Sequence, residues 1–122
     1  HDFSTIGERL GPFDVAMLEV GAYNPLWADV HLGPEQAVEA HRDLRAEVLL
    51  PVHWGTFELA FHAWTAPAER LVVAAEEAGI PVVFPRPGET VSPADADEPV
   101  DRWWPSIPWR SAEEVPVRSS GL

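Results

Sequence analysis

The sequence predicts an α/β fold built around a parallel sheet, and three observations lead there. Short apolar runs at 15–20, 48–52 and 82–84 have the length and composition of buried strands. Between them lie two stretches with helical spacing, each opened by a proline, Pro34 and Pro67. The resulting order is strand–helix–strand–helix–strand, and crossovers of this kind pair their strands in parallel.

In chain order, a short helix is expected over 4–10. Asp2 or Ser4 caps it, and Phe3, Ile6 and Leu10 form its apolar side. Gly11-Pro12 ends it, glycine by a left-handed exit and proline by being unable to continue the helix. Val15 to Val20 is almost continuously apolar, so this strand should be covered on both faces. Residues 21–33 form a long loop, a length often tied to function. A helix from Pro34 to about residue 45 puts Ala37, Ala40, His41 and Leu44 on one face, where His41 reads as a core histidine satisfied by hydrogen bonds. Strand 48–52 leads into an irregular, aromatic-rich stretch over 54–66. The helix from Pro67 turns Leu71, Val72, Ala75 and Ala78 inward and stops at Gly79. Val82-Val83-Phe84 reads as a third strand, and Glu89 to Val91 as a last short one after a turn at 85–88. Residues 93–122 lose periodicity and gain proline, acids and the tryptophans at 103, 104 and 109. They are expected to lie extended over a body formed by residues 1–92.

The bulk numbers narrow the function classes. A chain of 122 residues is one domain or part of one. Its net charge of −12 argues against nucleic acid, whose phosphates need Lys and Arg. There is no cysteine, so any metal must be held by His, Asp or Glu. All eight basic residues are arginine, which rules out a Schiff-base or P-loop lysine. No apolar run reaches membrane-spanning length. The expected location is the cytoplasm, with membrane association as the alternative.

Two histidines stand where chemistry is expected. Ligands collect beyond the carboxyl ends of strands in open α/β sheets. His53 follows strand 48–52 directly, and neutral imidazole is a common metal ligand. His31 lies in the long loop ahead of a helix start, as a candidate proton donor or anion-binding group. Parallel strands end on one edge, so the two loops leave the sheet together and their histidines can converge. No HxH, HxxxH or HxxE cluster is present, so the chain holds no complete metal motif of its own. His62 and Trp64 read as walls of the pocket.

Four motifs, taken in order, resemble a known family. They are Ile6-Gly7-Glu8-Arg9-Leu10-Gly11-Pro12-Phe13-Asp14, Gly21-Ala22-Tyr23, His31-Leu32-Gly33-Pro34-Glu35-Gln36-Ala37-Val38 and His53-Trp54-Gly55-Thr56-Phe57. Together they resemble the C-terminal part of metallo-β-lactamase-fold hydrolases over about residues 3–92. The nearest branch contains N-acyl-phosphatidylethanolamine phospholipase D, with ascorbate-6-phosphate lactonase more distant. The resemblance implies one half of an αβ/βα sandwich with a dinuclear Zn2+ site between its halves. It implies that His53 is a metal ligand, that His31 assists the reaction, and that Tyr23 and Trp54 touch substrate. The activity implied is hydrolysis of a phosphodiester, or of a related ester or lactone, by a metal-activated hydroxide. Leu26 stands where the family commonly has arginine, and Glu19 where it commonly has proline. The HxHxDH motif and the bridging aspartate are absent, so the implied partner is the N-terminal half of the same fold, in another chain or a missing segment. A phospholipid or other small molecule is the implied substrate, and a homo-oligomer a further expectation. The competing reading is a non-catalytic α/β module that binds a protein through its tryptophan-rich tail.

Overall fold

The computed structural model describes residues 2–119; His1 and the tail residues 120–122 lie outside the described part. Helix α1 (Phe3–Leu10) leads into strand β1 (Phe13–Glu19), helix α2 (Pro34–Leu44), strand β2 (Ala46–Val52) and helix α3 (Ala66–Ala78). Single-turn helices at Pro25–Trp27 and Pro93–Asp97 lie in the long loop and in the tail. β1 and β2 pair in parallel, with Val15 opposite Val48 and Glu19 opposite Val52. The two strands therefore end side by side, as the crossover pattern requires.

The core forms where α2 lies against the sheet, with α1 and α3 packed on α2. Val20, Leu49, Leu71 and Val72 are almost fully enclosed, with Ala37 and Ala40 of α2 against them. The small residues on α2 are what let helix and sheet approach. α1 packs on α2 through Gly7, whose position leaves no room for a side chain: a Cβ there would lie 2.0 Å from the Asp43 carbonyl oxygen. This departs from the expected apolar side, because Ile6 and Leu10 face outward, Leu10 at 71 % exposure.

β1 departs from its expectation as well. Only Ala16 and Leu18 of the strand are buried, while Met17 between them is 66 % exposed. The strand alternates because consecutive side chains point to opposite sides, and its second face, with Val15 part-buried and Met17 exposed, is the less covered of the two. Gly11 also leaves α1 in an extended conformation, φ −77°, rather than the left-handed one.

The third strand reduces to a single parallel bridge, Leu49 with Val82. The Leu49 N–H donates to the Pro81 carbonyl and the Val83 N–H to the Leu49 carbonyl. Pro81 and Pro85 bracket the segment and bring no N–H of their own, so no longer ladder can form. The expected strand at 89–91 does not form: these residues are irregular and follow a turn closed between Arg86 and Glu89. The Glu89 carboxylate accepts from the Arg86 N–H at 2.7 Å, and the Glu89 N–H donates to the Arg86 carbonyl.

Of the tail, Trp104 is buried and Trp103 half-buried against Phe84 and Trp54. Their indole N–H groups donate to Glu69 Oε1 and to the Phe84 carbonyl, both at 2.8 Å. No helix among the described residues is long and apolar enough to cross a membrane.

His41 is buried on α2 at 4 % exposure, but neither ring nitrogen has a hydrogen-bond partner among the described residues. That corrects the expectation of a satisfied ring. Burial, with the neighbouring Arg42 charge, pushes its pKa down. His62 is pushed down too, mainly by burial. In the unfolded chain both titrate near 6.5, so below that pH the unfolded state binds more protons than the folded one. The stability tied to these neutral rings is fully present above about pH 6.5 and is lost as pH falls below it. We expect urea midpoints to fall between pH 7 and about 5, and His41→Leu to flatten the fall. An equal slope in that variant would show that His41 does not contribute.

Candidate active site

β1 and β2 carry the two histidines to one rim. Each strand is followed closely by a residue in the left-handed region: Ala22 at φ 61° and His53 at φ 61°. That conformation costs a non-glycine residue on the order of 1 kcal/mol and persists only where the surroundings impose it. Here the constraint is the close passage of the two chains beyond the strands. A Cβ on Gly21 would lie 2.1 Å from the His53 carbonyl oxygen, so only glycine fits. Gly21→Ala should cost about 2 kcal/mol by overpacking and shift His53 at the same time. A urea titration checks the first effect, and the loss of whatever function needs His53 checks the second.

The loop over 21–33 then folds back. Asn24 caps its single turn by accepting from the Leu26 N–H, and Trp27 donates its indole N–H to the Ala22 carbonyl at 2.9 Å. This return brings His31 onto His53, with ring centroids 5.0 Å apart and planes 27° from parallel. The separate loops therefore converge. His53 is exposed and His31 about one-third exposed, so both rings reach solvent.

Glu19, which the sequence reading noted only as a departure from a family pattern, joins them. Its Oε2 lies 3.0 Å from His31 Nδ1, and its Oε1 accepts from the Leu32 N–H at 3.0 Å. One ligand atom from each of Glu19, His31 and His53 lies within 4.8 Å of the other two. Two imidazoles with a carboxylate beside them, whether it binds the cation or holds an imidazole in place, suit a divalent cation such as zinc, so the residues present fit a metal. Three donors from one chain still fall short of a dinuclear site. The available sequence signal for Glu19 was a lone acid inside the apolar run 15–20.

Tyr23, four residues after Glu19, is buried, with its ring stacked on His62 at 4.4 Å. Burial is the main cause pushing its hydroxyl up to about 12. Tyr23 and His62 line a cavity of about 420 Å3, closed by Phe61, Arg70, Trp109 and Val115. His62 holds the aromatic stretch to the loop: its Nε2 accepts from the Ala22 N–H, and its Nδ1–H donates to the Ala63 carbonyl. His62 thus lines a cavity to which neither His31 nor His53 contributes, whereas the sequence reading placed it in the wall of the pocket at His53. Trp64 packs against the core, near Gly55. Trp54 is partly buried, edge-on to Phe84 and Trp104 at 5.8 and 5.4 Å.

Arg70 was not anticipated from the sequence. It sits on the buried side of α3, where it donates Nε–H and Nη2–H to the two oxygens of Glu35 at 2.9 and 2.7 Å. Its guanidinium also lies 4.8 Å over the Tyr23 ring and donates to the Val115 carbonyl. Burial works against its charge, but Glu35 and Tyr23 together outweigh it, so its pKa is raised. Ala66 and Arg70 lie four apart on α3, a spacing that marks an inward cation without naming its partner.

Comparison with known proteins bears on this rim directly. Residues 2–54 match the family model described as a beta-lactamase superfamily domain, a stretch that ends just past His53. An uncharacterised protein of Mycobacterium tuberculosis is 47 % identical over 105 residues, 84 % of this chain and 28 % of the relative. The N-acyl-phosphatidylethanolamine-hydrolyzing phospholipase D 1 of Caenorhabditis elegans is 45 % identical over 60 residues, 48 % of this chain and 17 % of that protein. A protein of Symbiobacterium thermophilum named as a UPF0173 metal-dependent hydrolase is 40 % identical over 77 residues, 63 % of this chain and 30 % of that protein. The chain thus spans less than a third of the length of each of these relatives. The two parallel strands and the shared histidine rim lie within the stretch, residues 2–54, that is similar to a beta-lactamase superfamily domain, and the chain is similar over part of its length to these phospholipase D and metal-dependent hydrolase relatives.

Proposed function

We propose that this chain supplies part of the active site of a metal-dependent hydrolase whose remaining ligands come from the N-terminal half of the same fold. The observation that carries this reading is the meeting of His31 and His53, 5.0 Å apart and open to solvent. The relatives named as metal-dependent hydrolases and phospholipase D support it.

In this reading His53 holds a cation, one of two Zn2+, through an imidazole nitrogen. His31 binds the substrate's anionic oxygen or moves a proton at its free ring nitrogen. Tyr23, through the cavity it lines, and Trp54, directly after His53, are the candidate substrate contacts. When bound, divalent cations acidify water towards neutral pH and offset charge on a phosphoryl or carbonyl oxygen. A phosphodiester is the substrate class we favour, with an ester or lactone as the variant. The competing reading, partner binding through the tail, finds less support: Trp104 is 5 % exposed, and both it and Trp103 spend their indole N–H inside the chain.

The test uses the protein as naturally produced. Metal content by plasma mass spectrometry and hydrolysis of bis(p-nitrophenyl) phosphate are measured with and without a chelator. We expect activity that a chelator abolishes and Zn2+ restores. Activity indifferent to chelation would overturn the reading.

A further inference from the structure

Glu19 has no role in the mechanism just proposed, yet it is the residue most directly joined to His31. It is the last residue of β1, and its carboxylate reaches across to the loop that returns twelve residues later. Both of its oxygens are engaged there. Oε2 meets His31 Nδ1 and Oε1 accepts from the Leu32 N–H, each at 3.0 Å. An ionised carboxylate has only lone pairs, so it can bond Nδ1 only if Nδ1 carries the proton. Neutral imidazole has a single N–H. With that proton committed to Nδ1, the lone pair sits on Nε2.

The geometry points to Glu19 as a positioning residue that locks His31 in the Nδ1–H tautomer and leaves Nε2 as the ring atom able to accept a proton or meet a cation. This deepens the function proposed above and rests on His31 taking part in it. Holding the outer nitrogen of a working histidine with a carboxylate fixes both ring orientation and tautomer. The rival role is direct metal ligation, since Glu19, His31 and His53 offer atoms within 4.8 Å of one another. The two bonds already made by the carboxylate weigh against it, because a ligand oxygen would have to give up His31 or Leu32.

The Leu32 N–H makes the idea sharp. It demands an acceptor at Oε1. In Glu19→Gln the amide oxygen must serve Leu32, which turns the amide NH2 towards His31 Nδ1. Nδ1 must then carry the lone pair, and the proton moves to Nε2. Both hydrogen bonds survive and the shape is unchanged, but the tautomer inverts. A merely structural glutamate would tolerate this exchange.

The experiment labels histidine with 15N in the protein as naturally produced and reads the two-bond 1H–15N pattern at about pH 8, where an ordinary histidine is neutral. We expect the Nδ1–H pattern for His31 in the native protein and the Nε2–H pattern in E19Q. The variant should keep its metal content, keep KM within about threefold and lose about a hundredfold or more in kcat, the scale of one proton-transfer group. Glu19→Asp retains the carboxylate and should retain the Nδ1–H tautomer with part of the rate. A native Nε2–H pattern, or the same tautomer in native and E19Q protein, overturns the proposal. So does a fall in metal content in E19Q, which would make Glu19 a ligand. A protein with no metal-dependent hydrolysis would sink the proposed function alone, because the tautomer spectra do not depend on turnover.

Discussion

His53→Gly is expected to leave the protein at least as stable as the native form while removing the metal-dependent activity proposed for it. The backbone at His53 is held at φ 61°, a region that glycine enters freely and other residues enter at a cost. The side chain is exposed, and among the described residues its ring contact is His31. Removing it therefore forfeits little packing. Relief of the left-handed strain offsets the extra freedom glycine has in the unfolded chain, so the net change should fall within about 1 kcal/mol and on the stabilising side. Metal affinity should fall by more than the 10–100-fold, on the order typical of residues one shell further out. Urea midpoints and metal content, measured on the same sample, check both halves. A protein that lost stability but kept its metal would make His53 structural.

Glu35→Ala is expected to be the costliest single change at the α2–α3 contact. It leaves the Arg70 guanidinium, only 2 % exposed, without its bidentate partner. Breaking a buried ion pair by removing one partner costs about 3–5 kcal/mol, and we expect about 3 here because Glu35 is itself 34 % exposed and water can enter. The loss arises from a stranded charge, so Arg70→Met in the same chain should recover most of it. If the double variant were as unstable as Glu35→Ala alone, the pair would act through packing rather than charge. The cavity beside Tyr23 should loosen with the single change, since Arg70 also ties Val115 of the tail to α3.

The elements were legible where local chemistry governs them. Pro34 and Pro67 lie in the first turns of α2 and α3, and Gly79 ends α3 in the left-handed conformation at φ 65°. Leu71, Val72 and Ala75 point inward as their spacing requires. The misreadings fall where a neighbour distant in sequence decides. Val82-Val83-Phe84 has strand composition, but flanking prolines and the Trp103 indole on the Phe84 carbonyl leave it one bridge. Ile6, Leu10 and Met17 have the apolar character of a core, yet no described element covers them. His41 was rightly placed inside, while its lack of partners depends on what α2 packs against.

The order of strands and helices, and the arrival of two histidine loops at one rim, follow from the sequence by itself. Hydrophobic period, proline and glycine are local signals, and parallel pairing then leaves a single edge for both loops. Only the tertiary structure decided that Glu19 faces His31, that Arg70 finds Glu35, and that His53 sits in a left-handed turn. Those contacts depend on how a thirteen-residue loop folds back and how two helices meet. A carboxylate or guanidinium carries no mark in the sequence of the partner it will reach through space.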